Sequence, residues 1–195
     1  MTTTRRSLRR AAWAIAAAAL LWTARLNRSP SLPRGLYLQI FRAWRARPPA
    51  RGDLVLACAP PPAAELARHR GYLGDGPCAA GTAGGAQPLG KLVLAIGGDE
   101  VTLGDSGLSV NGRPIAASRP LTRDTLGRPI EHQPFGRRRL APGQLWLFAP
   151  YHPRSYDSRY FGPVPLAAAE GLVHHRAVEG VAGERAGPFD RAAVH

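Results

Sequence analysis

Beyond residue 26, this chain is a series of short apolar runs separated by Gly, Pro and Asn, and this spacing is typical of β-strands joined by turns. The predicted strands are residues 35–40, 53–57, 91–96, 100–103, 108–110 and 144–149. Asn111-Gly112 follows one of these runs and predicts a two-residue hairpin turn. One helix is expected at 62–70, where Ala, Glu, Leu and Arg replace the β-forming residues. We therefore predict a mainly β fold.

Two stretches interrupt the β pattern. Residues 58–88 contain the predicted helix and a glycine-rich segment, 81–87, that we expect to be a flexible loop, so they form an excursion from the β body. A second loop-rich stretch covers 116–142. From Pro165 the pattern predicts a short Ala-rich helix, and residues 171–195 are expected to form a polar carboxyl-terminal tail.

The first 26 residues have the composition of a membrane-targeting segment. Four arginines within residues 1–10 precede an uncharged run at 11–24. At ~1.5 Å per residue this run would span about 21 Å, short of the ~30 Å hydrocarbon core, and it also suits the core of a cleavable signal peptide. Cleavage after Ala24 would place Trp22 where a small residue is needed, so we favour an uncleaved anchor at 11–26. The arginines would stay cytoplasmic, and the rest of the chain would be exported.

The net charge of the chain is +13, from 26 Lys and Arg against 13 Asp and Glu. Such a charge suits nucleic acid or an anionic membrane surface. The arginines are scattered, however, and no helix-turn-helix, zinc-finger or aromatic-plus-basic RNA-binding pattern accompanies them. We therefore expect no nucleic-acid partner and attribute most of the charge to codon usage and solvated surface.

The chain has two cysteines, Cys58 and Cys78, which we expect to join the ends of the excursion. In an oxidising compartment such a pair is most simply a disulfide, and closing the loop would be worth about 3 kcal/mol. The alternative is two buried free thiols. Two cysteines without a histidine at ligand spacing make a poor zinc site, so we expect no metal and no other cofactor.

Lys91 is the only lysine in the chain, and it begins the predicted strand at 91–96. Arginine cannot lose its proton in a protein, whereas a buried lysine can lose it and can then act as a base. A single lysine kept at the start of an apolar run is therefore a candidate general base. The alternative is that lysine is rare here only because the composition, rich in Ala, Arg, Gly and Pro, reflects a GC-rich genome.

Three segments, in the same order along the chain, resemble the catalytic motifs of the signal peptidase I superfamily of serine/lysine endopeptidases. They are Ser29-Pro30-Ser31-Leu32-Pro33-Arg34-Gly35-Leu36-Tyr37, Lys91 with the trailing Gly97-Gly98-Asp99, and Ser155-Tyr156-Asp157-Ser158-Arg159-Tyr160-Phe161-Gly162-Pro163. The likeness extends over about Asn27 to Pro165 and is greatest to the conjugative-transfer, TraF-type branch. Two departures are small: Leu92 stands where a second basic residue often follows the lysine, and Gly97 where a proline often precedes the glycine.

The resemblance implies a role for each matched side chain. Ser31 aligns with the nucleophile, Lys91 with the general base, and Ser155 with the serine that orients the lysine amine. Ser29 aligns with the residue whose hydroxyl completes the oxyanion hole, together with the backbone N–H of Ser31. The histidines, among them His69, His132 and His152, occur in loop-like or polar contexts, so a Ser-His arrangement is not expected.

Asp157 and Arg159 have two readings. One is an ion pair that holds the third motif in place, because a carboxylate next to the lysine would raise the pKa of the lysine and oppose its function as a base. The other follows from the resemblance, since the aspartate aligned with Asp157 is regarded as catalytically important in the TraF branch. Both remain open from the sequence.

The resemblance also implies the architecture: an antiparallel, partly open β-barrel body at 27–170 behind an amino-terminal transmembrane helix. The protein would be a single-pass protein of the bacterial inner membrane, with a cytoplasmic amino terminus and a periplasmic catalytic domain. Its partners would be the lipid bilayer and an exported protein, either a pilin precursor or a preprotein with a signal peptide. The alternatives are a general type I signal peptidase and a non-catalytic envelope scaffold. Hydrolysis and pilin cyclisation are both compatible with these motifs.

Overall fold

The computed structural model of the protein describes residues 24–27, 35–40, 48–81 and 84–176. Their strands are β1 Ala24–Asn27, β2 Gly35–Ile40, β3 Leu54–Ala57, β4 Asp75–Ala79, β5 Gly85–Ala86, β6 Leu89–Ile96, β7 Glu100–Gly104, β8 Gly107–Val110, β9 Arg113–Pro114, β10 Gly136–Arg139, β11 Gln144–Phe148, β12 Val164–Pro165 and β13 Ala169–Arg176. Their helices are α1 Pro61–His69, α2 Ser158–Phe161 and a 3₁₀ helix Leu166–Ala168. The protein is mainly β, which confirms the prediction from the apolar pattern.

The larger sheet contains seven strands in the order β1-β2-β13-β3-β6-β11-β12, and neighbouring strands are antiparallel. Among the described strands, the edge strands β1 and β12 do not pair with each other, so this sheet is open rather than closed into a barrel. The predicted strands at 35–40, 53–57, 91–96 and 144–149 all lie in it. This sheet forms the frame that carries the candidate site.

A smaller sheet of four strands has the order β10-β7-β8-β9. The predicted hairpin turn is confirmed: Val110 pairs with Arg113, and the two residues between them have positive φ angles, 49° at Asn111 and 79° at Gly112. Asparagine and glycine tolerate this conformation better than other residues do, and it matches the twist of the adjoining strands. The remaining two-stranded sheet, β4-β5, lies in the excursion with α1.

Three apolar clusters form the core. One joins the two main sheets and includes Trp146 and Phe148 of β11 with residues of β7 and β8. The second lies on the larger sheet and includes Val55 and Val93. The third holds α1 and β4 against the start of β6 through Leu89. Strand β6 therefore contributes to all three, and residues near its start lie between the second and third clusters.

The structure corrects four expectations. Residues 85–86 of the predicted loop at 81–87 form β5, and residues 136–139 of the second loop-rich stretch form β10. The expected short helix after Pro165 is limited to a single 3₁₀ turn. The largest difference is β13, because residues 171–176 of the predicted tail pair with β2 on one side and β3 on the other. These short segments are strands through long-range pairing, which local propensity does not reveal.

The expected membrane anchor meets the described residues only at its end. Residues 24–26 of the segment assigned to the anchor belong to β1, where Ala24 pairs with Leu38 of β2. Residues 11–23 lie outside the described residues. In the part of the chain that the structure does describe, we find no helix that is both long and apolar enough to cross a bilayer.

Candidate active site

Strand β6 places Lys91 in the interior of the protein. Because side chains alternate along a strand, Lys91 shares its face with Leu89 and Val93, both of which are buried. Val55 of β3 is its partner across the sheet and is also fully buried. Only 2 % of Lys91 is exposed to solvent. A cationic side chain therefore lies in apolar surroundings, where its neutral form is favoured.

The partner of Lys91 is Ser155, which comes from a segment 64 residues further along the chain. The Lys91 Nζ donates a hydrogen bond to the Ser155 Oγ, and Ser155 is likewise 2 % exposed. A tight turn presents Ser155 to the amine, since its backbone N–H donates to the carbonyl oxygen of His152 at 3.0 Å. The structure thus brings together two of the predicted site residues in a shielded position.

The pKa of Lys91 is lowered from 10.5 to about 8. The main cause is burial, which penalises the ammonium; the negative charge of Asp157 raises this pKa and the positive charge of Arg159 lowers it. A pKa of about 8 leaves roughly one molecule in ten with a neutral amine at pH 7, compared with about one in 3,000 for an unshifted lysine. An appreciable fraction of the Lys91 amine is therefore neutral near neutral pH.

Asp157 and Arg159 form a fully buried ion pair next to the amine. The contact is bidentate: the Arg159 Nε donates to Asp157 Oδ1 and the Nη2 donates to Oδ2, each at 2.8 Å. Asp157 also caps α2, because its Oδ1 accepts a bond from the backbone N–H of Arg159. Since the carboxylate is neutralised by its own partner, its effect on Lys91 is largely offset.

Arg159 also fixes the backbone that carries Ser155. Its Nη2 donates to the Ser155 carbonyl oxygen at 3.1 Å, and its Nη1 donates to the carbonyl oxygen of Arg119 at 3.0 Å. The guanidinium lies 4.9 Å from the centre of the Phe148 ring, a cation–π contact with β11. One arginine thus ties the Ser155 turn, the 116–142 stretch and the larger sheet together.

Sequence reasoning assigned no role to two further residues that hold the third motif. The Ser158 Oγ accepts a bond from the Leu147 N–H at 2.9 Å, which attaches α2 to β11. Gln133 donates its backbone N–H to the Arg159 carbonyl oxygen at 2.7 Å and its side-chain amide to that of Tyr160. Ser158 lies within the third motif, which is a signal for its role, whereas the sequence around Gln133 contains no such signal.

The aromatic ring of Tyr156, next to Ser155, packs in a group that reaches the excursion. Its centroid lies 5.6 Å from those of Tyr72 and Tyr160 and 5.5 Å from that of Phe161. The Tyr72 hydroxyl donates to Asp124 at 2.6 Å. These contacts connect the site to residues 70–74 and 122–130, two segments far apart in sequence.

The structure joins Cys58 and Cys78 in a disulfide with a Cα–Cα distance of 5.4 Å. Cys58 directly follows β3, and its neighbour Ala57 pairs with Leu89, two positions along the ladder from the pair of Val55 and Lys91. The bond therefore closes the excursion close to the base of the site. No group of three or more His, Cys, Asp or Glu capable of holding a metal is found among the described residues.

Two predicted site residues, Ser29 and Ser31, lie outside the described residues. They belong to the connection between β1 and β2, and Ser31 precedes the first residue of β2, Gly35, by four positions. Their contacts with Lys91 therefore stay predictions.

The chain matches a protein-family model described as signal peptidase, peptidase S26, over residues 10–178. It is 42% identical over 153 residues to a probable conjugal transfer protein TraF of Sinorhizobium fredii, an alignment that covers 76% of this chain and 73% of the relative. It is 40% identical over 153 residues to the conjugal transfer protein TraF of Agrobacterium fabrum, covering 76% and 78%, and 35% identical over 156 residues to a plasmid transfer protein TraF of Escherichia coli, covering 79% and 82%.

Among solved structures, a signal peptidase I of Enterococcus faecalis V583 aligns with 64% of this chain and 95% of its own. The identity is 21% and the TM-score 0.34, values too low to add to the assignment.

Proposed function

Because this chain belongs to the peptidase S26 family of signal peptidases, we propose that it is a serine endopeptidase with Ser31 as nucleophile and Lys91 as general base. The observation that carries the proposal is the buried hydrogen bond between the Lys91 amine and Ser155, on a lysine whose pKa is lowered to about 8. Among the hydrogen bonds of the described residues, none joins a histidine to this amine, and a neutral amine can accept a proton from a serine hydroxyl.

The reaction begins when the neutral Lys91 amine takes the proton of the Ser31 hydroxyl as its oxygen attacks the scissile carbonyl carbon. The oxyanion that forms is stabilised by the Ser31 N–H and the Ser29 hydroxyl, and one such donor is worth on the order of 3 kcal/mol. The tetrahedral intermediate then expels the peptide amine, which receives the proton from the Lys91 ammonium. Lys91 next deprotonates a water molecule, whose attack on the ester releases the carboxylate product and frees Ser31.

Ser155 orients the Lys91 amine, and Asp157 supports the site through Arg159. A free carboxylate beside Lys91 would hold the amine protonated, whereas Asp157 shares its charge with a bidentate guanidinium. This argument favours a supporting role of Asp157 over direct participation in proton transfer.

The substrate that we propose is an exported protein, cut near the membrane surface. The conjugal transfer proteins at 40 and 42% identity favour a conjugative pilin precursor over a general preprotein. Seven positions separate Ala24 from Ser31. With an anchor ending close to Ala24, such a nucleophile would reach chains emerging from the bilayer. The protein would then be a single-pass inner-membrane protein with a periplasmic active site.

The test uses detergent-solubilised full-length protein and a pilin precursor encoded near its own gene. Cleavage at one position, lost in Ser31→Ala and in Lys91→Arg, is the expected result. Lys91→Arg keeps the positive charge but removes the titratable amine. Cleavage retained in Lys91→Arg would exclude the serine/lysine dyad. A folded protein that cuts neither a pilin precursor nor a preprotein would instead be a non-catalytic scaffold, and cleavage of preproteins alone would indicate a general signal peptidase.

A further inference from the structure

Strand β2 is held in the larger sheet by two neighbours. It pairs with β1 through Leu36 and Leu38 among others, and it pairs with β13 on its other side. The β1–β2 hairpin therefore meets the rest of the described sheet through β13. This hairpin carries Ser31 in the connection between its two strands.

Strand β13 divides into two halves with different partners. Ala169, Gly171 and Leu172 pair with β3, whereas the residues from Leu172 to Arg176 pair with Ile40 to Leu36 of β2. Leu172 is the position shared by both ladders. Residues 173–176 thus pair with β2 of the hairpin but not with β3.

Leu172 also fixes the register of the hairpin relative to Lys91. Ile40 of β2 is its partner on one side and Val55 of β3 on the other, and Val55 pairs in turn with Lys91 of β6. These four residues form one row across four strands. A slip of one residue in the β2–β13 ladder would move the hairpin by about 3.3 Å and reverse its faces relative to Lys91.

We propose that β13 is the positioning strand of the active site: its residues 173–176 dock the hairpin that carries Ser31 at the register that Lys91 requires. The catalytic effect of this docking rests on the proposed function, whereas the docking of the hairpin on β13 is independent of it. A displacement of 1 Å at a reacting group costs about a hundredfold in rate, so release of the hairpin removes acylation while the base side stays formed.

The experiment compares the full chain with two shortened chains, one ending at Arg176 and one ending at Leu172. The first keeps all of β13. The second loses the positions that pair with β2 alone but keeps those that pair with β3. Hydrogen exchange measures protection of the amides at 35–40. The signal of Lys91 is observed by NMR after lysine-selective ¹³C labelling, since the chain has a single lysine. Acylation is measured in a single turnover of pilin precursor.

The chain ending at Arg176 should match the full chain in all three measurements. The chain ending at Leu172 should lose amide protection in β2 and about a hundredfold or more in acylation rate, while Lys91 keeps its shifted titration. Protection and rate retained in the chain ending at Leu172 would overturn the proposal. Loss of the Lys91 shift as well would also overturn it, because β13 would then support the whole sheet.

A second variant avoids truncation. Val173→Pro with His174→Pro removes two consecutive N–H groups, and since successive residues face opposite neighbours, one of them belongs to the β2 ladder. Val173→Thr with His174→Thr keeps both N–H groups and strand propensity, and serves as the control. Only the proline pair should release β2. If the full chain cleaves no substrate, the proposed function fails, yet the exchange data still decide whether β13 docks the hairpin.

Discussion

The Lys91 amine and the Ser155 hydroxyl are hydrogen-bonded although 64 positions separate them, and each residue is 2 % exposed. A buried lysine without an anionic partner of its own is costly to a fold. The carboxylate that acts on its pKa, Asp157, accepts hydrogen bonds from Arg159 at both of its oxygens. Among the described residues, the desolvated amine thus has one hydrogen-bond partner, the neutral Ser155 hydroxyl, an arrangement suited to a base.

Ser155→Ala should slow acylation by about a hundredfold, because the base remains but is poorly aligned. Substrate binding should change little, since Ser155 contacts the amine rather than the peptide in the proposed reaction. Single-turnover kinetics at several substrate concentrations separate the two effects. Ser118→Ala is a matched control: Ser118 is equally buried, and its hydroxyl bonds only to the backbone of Leu108 and Ile115. A rate loss in both variants would reduce Ser155 to a structural role.

The Lys91 pKa sets a pH dependence for the reaction. Because the neutral amine is the active form, kcat/KM should rise with pH and level off above about 8, the lowered pKa of Lys91. The ¹³C signal of the single lysine should titrate with the same midpoint in protein without substrate. A midpoint near the ordinary lysine value, in either measurement, would contradict a desolvated base.

Part of this arrangement follows from the sequence and part does not. Strand β6 and the burial of Lys91 were predictable, because an apolar run of strand length surrounds the lysine. Strand β13 was not, since Leu172 and Val173 are its only large apolar residues and its pairing partners β2 and β3 lie more than a hundred positions away. The local sequence pattern does not indicate pairing with strands so distant along the chain.

The same distinction applies to the site. The meeting of Lys91 with Ser155 was expected only through the family resemblance, as residue spacing cannot indicate a contact across 64 positions. The bonds from Arg159 to the carbonyl oxygen of Arg119, and from Gln133 to that of Arg159, involve backbone acceptors. Any residue supplies such an acceptor, so its position in the fold decides the contact rather than its identity.

Lys91→Met should stabilise the protein near pH 7. Folding lowers the lysine pKa from 10.5 to about 8. Below the folded pKa, where lysine is charged in both states, this shift corresponds to about 3 kcal/mol of destabilisation of the folded protein. Between these two values the unfolded state binds more protons, so the stability of the wild type rises with pH. The advantage of Lys91→Met in urea unfolding should therefore be full below pH 8 and shrink toward pH 10.5. An advantage independent of pH would indicate packing rather than charge burial.

Removal of the disulfide should loosen the excursion. Cys58→Ala with Cys78→Ala opens a loop with a sequence separation of 20, which should lower the free energy of unfolding by about 3 kcal/mol. Urea unfolding of oxidised wild type and the double variant measures the difference. Alkylation of the unreduced, denatured wild type followed by mass spectrometry should modify neither cysteine. Two modified cysteines would contradict both the bond and an oxidising location.

Substitutions at Asp157 and Arg159 should shift the pH dependence of kcat/KM in opposite directions. Asp157 raises the Lys91 pKa and Arg159 lowers it. Asp157→Asn should therefore move the midpoint of the acid limb to lower pH, whereas Arg159→Met, which leaves a buried carboxylate beside the amine, should move it to higher pH. Each variant also breaks a buried pair and should cost about 3–5 kcal/mol in unfolding free energy, so rates are measured at low temperature.

The control for this last pair of variants is Asp99→Asn, since Asp99 is also buried and paired with an arginine, Arg51, but neither residue shifts the Lys91 pKa. It should lose stability without moving the midpoint. The titration of the Lys91 ¹³C signal provides a check that does not depend on catalysis. Shifts in the same direction for Asp157→Asn and Arg159→Met would show that both act through general loosening of the site. Complete loss of activity in Asp157→Asn with an unchanged Lys91 titration would instead place Asp157 in proton transfer itself.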